Sequence, residues 1–124
     1  MSVSYSWDGP LLRLDLIGTT EPEEVIRQFK VALADPSATE KVELLLDTTH
    51  SDSMATRTSN EIRLVAEALK PYVERVQGRC AVVAAKDIHF GLSRMGSAYT
   101  GLIGVDAGIF RTEAEAIGWL RSRD

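Results

Sequence analysis

The sequence predicts an α/β domain built on a mixed five-stranded sheet with about four helices. Alternating residues at the N-terminus, followed by Asp8-Gly9, predict a β-hairpin. Beyond it, short apolar runs alternate with amphipathic segments, which is typical of parallel strands joined by right-handed crossovers. The predicted order is therefore β-β-α-β-α-β-α-β-α, with an antiparallel hairpin and then parallel strands. We expect residues 1–124 to form one domain.

The hairpin strands show a period of two. From Ser2 to Trp7, serine alternates with a large apolar residue, and Pro10 follows the turn. The second strand runs from about Leu11 to Ile17, with leucines on one face and Arg13 and Asp15 on the other. One face of each strand is therefore predicted to be buried.

Three threonine capping boxes, beginning at Thr20, Thr58 and Thr112, predict the starts of the first, second and last helices. Asp35-Pro36 ends the first helix, because the residue before proline is pushed out of the α region. Pro71 lies inside the second helical pattern and predicts a kink or a split.

The remaining elements are apolar runs of strand length and one weak helix. Buried strands are predicted over Val42–Leu46 and Cys80–Ala85, with a short last strand at Ile109-Phe110. The residues from Phe90 to Leu102 suggest a third helix, weakened by two glycines. The predicted core comprises Leu14, Leu16, Val25, Phe29, Leu44, Leu46, Val65, Leu69, Val82, Phe110 and Leu120.

Composition argues against several classes of protein. The net charge is −4 and no basic stripe is present, so nucleic-acid binding is not expected. No apolar run reaches the roughly 20 residues of a membrane helix, and the N-terminus lacks the pattern of a signal peptide. We therefore expect a cytoplasmic protein. The one cysteine, Cys80, is expected to act as a small apolar side chain in a strand.

Several segments carry a resemblance to a known family. They are Val42-Glu43-Leu44-Leu45-Leu46-Asp47, Phe90-Gly91-Leu92-Ser93-Arg94-Met95, Ile109-Phe110-Arg111-Thr112-Glu113-Ala114-Glu115-Ala116 and Trp119-Leu120. With the N-terminal hairpin and the element order, they resemble the SpoIIAA-like group of proteins, which includes STAS domains. The resemblance implies the SpoIIAA-like fold and a binding or regulatory role.

In anti-sigma-factor antagonists of this fold, a serine at the start of the helix after the third strand is phosphorylated. The family pattern there is an Asp-Ser-Ser-Gly-like turn. This sequence has Ser51-Asp52-Ser53-Met54 in that region, without the adjacent second serine and without the glycine. Phosphorylation at Ser51 or Ser53 is thus one hypothesis that the resemblance raises.

Polar loops follow two of the predicted parallel strands, at the carboxyl ends where α/β sheets commonly bind ligands. Together with the start of the next helix they could bind an anion, because helix N-termini present free N–H groups. The alternative is that these side chains only cap turns and helices. The candidate residues are Asp47, Thr48, Thr49, His50, Ser51, Ser53, Asp87, His89 and Arg94.

Catalytic motifs are not evident in the sequence. His50 and His89 are the two histidines and lack the ligand spacing of a zinc site. The segment Gly91–Gly96 departs from both a nucleophile elbow and a phosphate-binding P-loop. We therefore expect no enzyme activity, no metal site and no cofactor.

Three functions are consistent with these observations. The first is a binding or regulatory module that acts through a protein partner or a small ligand. The second is a small carrier of a lipid or anion, or an enzyme, with a pocket at the carboxyl ends of the parallel strands. The third is a phospho-regulated anti-sigma-factor antagonist. A homodimer is also expected, because Tyr5, Trp7, Tyr72 and Trp119 offer much apolar surface for a small domain.

Overall fold

The computed structural model describes residues 2–51, 59–84 and 104–122. They contain a five-stranded sheet with the strand order β1-β2-β3-β4-β5. The first two strands pair antiparallel and the others pair parallel, as predicted. The strands are β1 (Ser2–Asp8), β2 (Leu11–Ile17), β3 (Glu43–Asp47), β4 (Arg79–Val83) and β5 (Asp106–Phe110). The helices are α1 (Pro22–Ala34), α2 (Ser59–Glu67), a 3₁₀-helix (Lys70–Tyr72) and α3 (Glu113–Leu120).

The sequence predicts about four helices for the whole chain, and the described residues differ slightly from that number. The described residues contain three α-helices and the 3₁₀-helix. The helix predicted from Phe90 to Leu102 lies outside the described residues. The split at Pro71 is confirmed, because α2 ends at Glu67 and the proline lies in the separate 3₁₀-helix.

The hairpin follows its predicted alternation. Asp8 pairs with Leu11 across the turn, and Gly9 has a positive φ of 60° that glycine adopts without strain. The serines of β1 are exposed, whereas Val3 is buried and the two aromatic residues of the strand are half-buried. The period of two therefore sorts polar and apolar side chains onto opposite faces of the sheet.

Two apolar clusters cover the two faces of the sheet. On the first face, Leu12, Leu14 and Leu16 pack with α1, and Val65 of α2 borders the same cluster. On the second face, Leu11 and Leu45 pack with residues of α3. All of the predicted core residues lie in or against these clusters, although Leu46, Val65, Val82, Phe110 and Leu120 are only partly buried.

Helix starts match the capping boxes only in part. Thr112 caps α3, where its Oγ1 accepts a hydrogen bond from the Glu115 N–H at 3.3 Å, as predicted. The prediction for Thr20 is wrong, because the residue that precedes the first turn of α1 is Glu21. Pro22 takes the first helical position, and the residue before a proline is held extended, so Glu21 occupies the cap. Thr58 lies outside the described residues.

The four aromatic residues that suggested self-association are all packed against the core. Tyr5, Trp7 and Tyr72 border the first cluster, and Trp119 borders the second. Large apolar side chains that are exposed in the described residues are instead Ile17, Val31 and Leu64. The homodimer stays a prediction, and each of the four aromatic side chains is half-buried, so only part of its surface is exposed for such an association.

Candidate functional site

The candidate site lies at the carboxyl ends of β2 and β3. Asp15 and Asp47 are register partners on these parallel strands, so their Cβ atoms lie side by side. Both side chains lie on the face of the sheet that α3 covers. Leu11 and Leu45 lie on the same face and belong to the apolar cluster that includes residues of α3. Two half-buried carboxylates are thereby placed next to each other.

Burial against this edge of the sheet raises the pKa of the Asp15 carboxyl above its ordinary value, and the negative charge of Asp47 raises it further. The positive charges of Arg13 and His50 act in the opposite direction. The net effect is an increase in the pKa of Asp15, so Arg13 and His50 do not cancel the combined effect of burial and the Asp47 charge. Asp15, Asp47, Arg13 and His50 therefore form one electrostatic cluster, which we call the carboxylate cluster.

Arg13 is held toward α3 as well as toward the cluster. Its guanidinium forms an ion pair with Glu113, in the first turn of that helix. The guanidinium is therefore shared between the helix and the carboxylate cluster. Burial is the largest influence on Asp15 and outweighs the attraction to Arg13, so the pKa of Asp15 stays raised.

The residues after Asp47 form a tight turn that is anchored to β4. The Ser51 N–H donates to the Thr48 carbonyl at 3.0 Å, which closes the turn. Thr48 donates twice to the Val83 carbonyl, from its N–H at 3.0 Å and from its Oγ1 at 2.7 Å. Its side chain is buried, so Thr48 is a structural residue of the turn.

The other side of the turn is anchored to the end of β2. The Gly18 N–H donates to the His50 carbonyl at 2.9 Å, and Gly18 forms a parallel bridge with Ser51. Ser51 is completely buried. The Thr49 N–H donates to Asp47 Oδ1 at 2.9 Å, so one oxygen of the cluster also supports the turn. His50 is left exposed at the tip.

The predicted site residues thus separate into groups. Asp47 and His50 lie together in the carboxylate cluster, and Thr49 is half-buried beside them. Thr48 and Ser51 point inward and do not contribute to the surface. Ser53, Asp87, His89 and Arg94 lie outside the described residues. The anion-binding interpretation depends on Arg94 and on the loop of His89, so the described residues do not address it.

Asp15 is not among the predicted site residues, because the alternation of β2 places it only on the polar face of that strand. A signal was present, since a carboxylate stands near the end of both β2 and β3. Recognising it requires the register between the two strands, because a shift of one residue would send the side chains to opposite faces.

Other candidate chemistry is weaker in the described parts of the chain. A cleft of about 240 Å³ lies at the opposite end of the parallel strands, between the start of β3 and the end of α3. Its charged side chains are paired, since Glu43 accepts from Arg121 and Arg79 donates to the carbonyls of Trp119 and Ser122. Within residues 2–51, 59–84 and 104–122, no cluster of three or more histidine, cysteine or acidic residues has the geometry of a metal site. No helix in these ranges is long and apolar enough to cross a membrane.

The architecture places the chain among proteins of SpoIIAA-like fold. It is similar to the crystal structure of an uncharacterised protein of the DUF3478 family with a SpoIIAA-like fold, from Shewanella loihica PV-4. The TM-score is 0.60 with 15% sequence identity, and the match covers 96% of this chain and 92% of the other. The similarity confirms the fold that the sequence resemblance implied. No protein-family model and no curated protein matches the sequence.

Proposed function

We propose that this protein is a cytoplasmic binding or regulatory module that engages a basic segment of a protein partner through the carboxylate cluster. The observation that carries the proposal is the side-by-side pair of Asp15 and Asp47 at the carboxyl end of the sheet. Ligands of α/β proteins commonly bind at this edge. The proposed activity is binding without catalysis and without a cofactor.

The carboxylate pair favours a cationic ligand for an electrostatic reason. Two neighbouring carboxylates repel each other, and partial burial weakens the solvation that would otherwise reduce the repulsion. A lysine or arginine side chain placed between Asp15 and Asp47 would replace this repulsion by two attractions. The free protein would then bear a small loss of stability that binding relieves.

The surroundings of the cluster favour a protein rather than a small molecule. His50 is exposed at the tip of the turn, and the exposed serine face of β1 continues across the same side of the sheet from Asp15. This arrangement is open and polar, whereas small-molecule sites are mostly concave and apolar. The carrier or enzyme alternative would need a pocket near Phe90 and Tyr99, which lie outside the described residues.

Phosphorylation at Ser51 is less compatible with the described turn. The Ser51 side chain is completely buried, and its N–H is used to close the turn. A phosphate at this position would bring a charge of about −2 into the protein interior. A kinase would therefore need the Thr48–Ser51 turn to open first. Ser53, the second serine of this hypothesis, lies outside the described residues.

The proposal is tested with a matched set of charge variants. The double variant Asp15→Asn/Asp47→Asn removes the carboxylate pair, and Asp8→Asn/Glu23→Gln removes the same charge from exposed positions away from the cluster. Proteins captured by the wild type from extracts of cells that produce it are identified, purified and titrated against each form by calorimetry. We expect the control to bind like the wild type, and the cluster variant to bind at least about tenfold more weakly.

Salt gives a second criterion. Binding that depends on the carboxylate pair should weaken as ionic strength rises, because screening reduces attraction between partly exposed charges. Equal affinity of a purified partner for wild type, control and cluster variant would contradict the proposal. Thermal unfolding of each variant shows whether the fold is kept.

A further inference from the structure

The outer edge of β1 exposes main-chain hydrogen-bonding groups. In the hairpin, Asp8 and Leu11 form the closing pair, so Ser2, Ser4 and Ser6 exchange hydrogen bonds with β2. The alternate residues Val3, Tyr5 and Trp7 therefore direct their N–H and carbonyl groups away from the sheet. The Val3 N–H confirms this direction, since it donates to Glu24 Oε2 of α1 at 3.2 Å.

The edge lacks most of the features that protect edge strands from pairing with another chain. Such strands commonly carry lysine, proline or a bulge. The seven residues of β1 contain no basic residue and no proline, and they pair with β2 without a bulge. Among the outward N–H groups of β1, that of Val3 alone has a side-chain partner in the part of the chain that the structure describes. Within the described residues, the outward N–H groups of Tyr5 and Trp7 have no acceptor.

An exposed apolar residue lies beside this edge. The Tyr5 hydroxyl donates to Asp35 at 2.6 Å, and the Trp7 indole N–H donates to the Ala32 carbonyl, so this end of α1 borders β1. Val31 lies one helical turn before Asp35, on the same side of α1. It is 46% exposed. Unpaired main chain and an exposed apolar side chain thus occur together.

We propose that two copies of this chain associate by antiparallel pairing of β1 with β1, with the two-fold axis at Ser6. Because Glu24 holds the Val3 N–H, the outward N–H groups that remain are those of Tyr5 and Trp7. Antiparallel pairing that uses only these groups sets Tyr5 opposite Trp7 of the second copy. The sheet then continues through both copies, and the two Val31 residues approach each other beside it.

The register makes the edge complementary to itself. Ser6 stands opposite Ser6 of the second copy, and Ser4 stands opposite Asp8, so no like charges face each other along the strand. Each Tyr5–Trp7 pair brings two aromatic side chains together, which favours strand pairing. The occupant of the edge is therefore a second copy. The inference is independent of the carboxylate cluster, which lies on β2 and β3.

Two substitutions on the exposed serine face test the proposed position of the two-fold axis, because one should weaken the dimer and the other should strengthen it. Ser6→Glu places two carboxylates together at the axis and should weaken the dimer about threefold to tenfold. Ser4→Lys places a lysine opposite Asp8 of the second copy and should strengthen it about threefold. Within one copy Ser6 faces Arg13 and Ser4 faces Asp15, so both new charges meet an opposite charge and the fold should be kept. Sedimentation equilibrium at low salt measures both.

Cysteine cross-linking tests the register directly. Ser6→Cys should form an intermolecular disulfide on mild oxidation, because residues on the axis of an antiparallel pair lie within reach of each other. Ser4→Cys should not, since the two substituted residues would be several residues out of register. The native Cys80 is buried and does not compete. A wild type that stays monomeric at millimolar concentration, or equal cross-linking at positions 4 and 6, would overturn the proposal.

Discussion

Opposing charges act on the carboxyl group of Asp15, which is repelled by Asp47 and attracted by Arg13 and His50. Its pKa is raised, first because burial disfavours the charged form and then because Asp47 repels it. In the pH window between the ordinary value of 3.8 and the raised value, the folded state binds more protons at this site than the unfolded state. The contribution of Asp15 to the free energy of unfolding therefore falls as the pH rises through this window.

Replacing Asp15 by asparagine should accordingly stabilise the protein near neutral pH. We expect a gain of up to about 1 kcal/mol in the free energy of unfolding, because the variant removes one partner of a like-charge pair that is partly exposed to solvent. The gain should shrink as the pH falls and the wild-type carboxyl becomes protonated. Urea unfolding of wild type and Asp15→Asn over a pH series measures the difference.

Asp35 provides a control with the opposite sign. Hydrogen bonds from the Tyr5 hydroxyl and from Ser37 lower the pKa of the Asp35 carboxyl. Its contribution to stability is therefore present above the ordinary value of 3.8 and is lost as the pH falls through the lowered value. Asp35→Asn should reduce the loss of stability in acid.

If the free energies of unfolding of Asp15→Asn and wild type differed by the same amount at all pH values, the raised pKa of Asp15 would be refuted.

At the scale of elements, β5 and α3 depend on a glycine that leaves room for two aromatic rings. Phe110 of β5 and Trp119 of α3 pack with their ring centroids 5.5 Å apart. A Cβ atom at Gly108 would lie 2.6 Å from a Phe110 ring atom and 3.1 Å from a Trp119 ring atom. Both distances are shorter than ordinary contacts, so a side chain at this position would force the Phe110 and Trp119 rings to shift from their packed positions.

Two glycine-to-alanine substitutions should therefore have opposite effects. Gly108→Ala should lower the free energy of unfolding by about 1–3 kcal/mol, which is typical of overpacking in a core. Gly118 lies at an exposed position of α3, and no atom lies within 4 Å of a Cβ added there. Gly118→Ala should raise the free energy of unfolding by about 0.5–1 kcal/mol, because alanine loses less backbone entropy than glycine when a helix forms. Chemical denaturation measures both. A stabilising Gly108→Ala would contradict the described packing.

For the whole molecule, Cys80 reports whether the sheet opens as a unit. It lies in β4, between β3 and β5, and is buried. Burial raises the pKa of its thiol to about 12, so almost no reactive thiolate exists at neutral pH in the folded state. Modification of Cys80 by a thiol reagent therefore requires β4 to become exposed.

We expect labelling of Cys80 to be slow in buffer and to accelerate with urea in parallel with global unfolding. Ser4→Cys supplies an exposed thiol in the same chain, which should react at once and with little dependence on urea. Mass spectrometry distinguishes singly from doubly labelled protein. Rapid, urea-independent labelling of Cys80 would show that β4 becomes accessible through local opening.

Sequence alone determined the order of the described elements and the faces of the strands. The hairpin, the split at Pro71 and the Thr112 cap follow from local patterns, because alternation, proline geometry and capping act over a few residues. The buried leucines of β2 and β3 were predictable for the same reason. The Thr20 cap failed because Pro22 imposed a competing local rule on Glu21.

Tertiary structure alone decided that the carboxylate cluster forms and that side chains of the Thr48–Ser51 turn are buried. Asp15 and Asp47 are 32 residues apart in the chain (47 − 15) and become neighbours only through the register of β2 with β3. Thr48 and Ser51 have the composition of a surface loop, yet they are buried because the turn bonds to Val83 on one side and to Gly18 on the other. These arrangements depend on which strands are adjacent, and pairing between distant segments leaves no periodic signal within either of them.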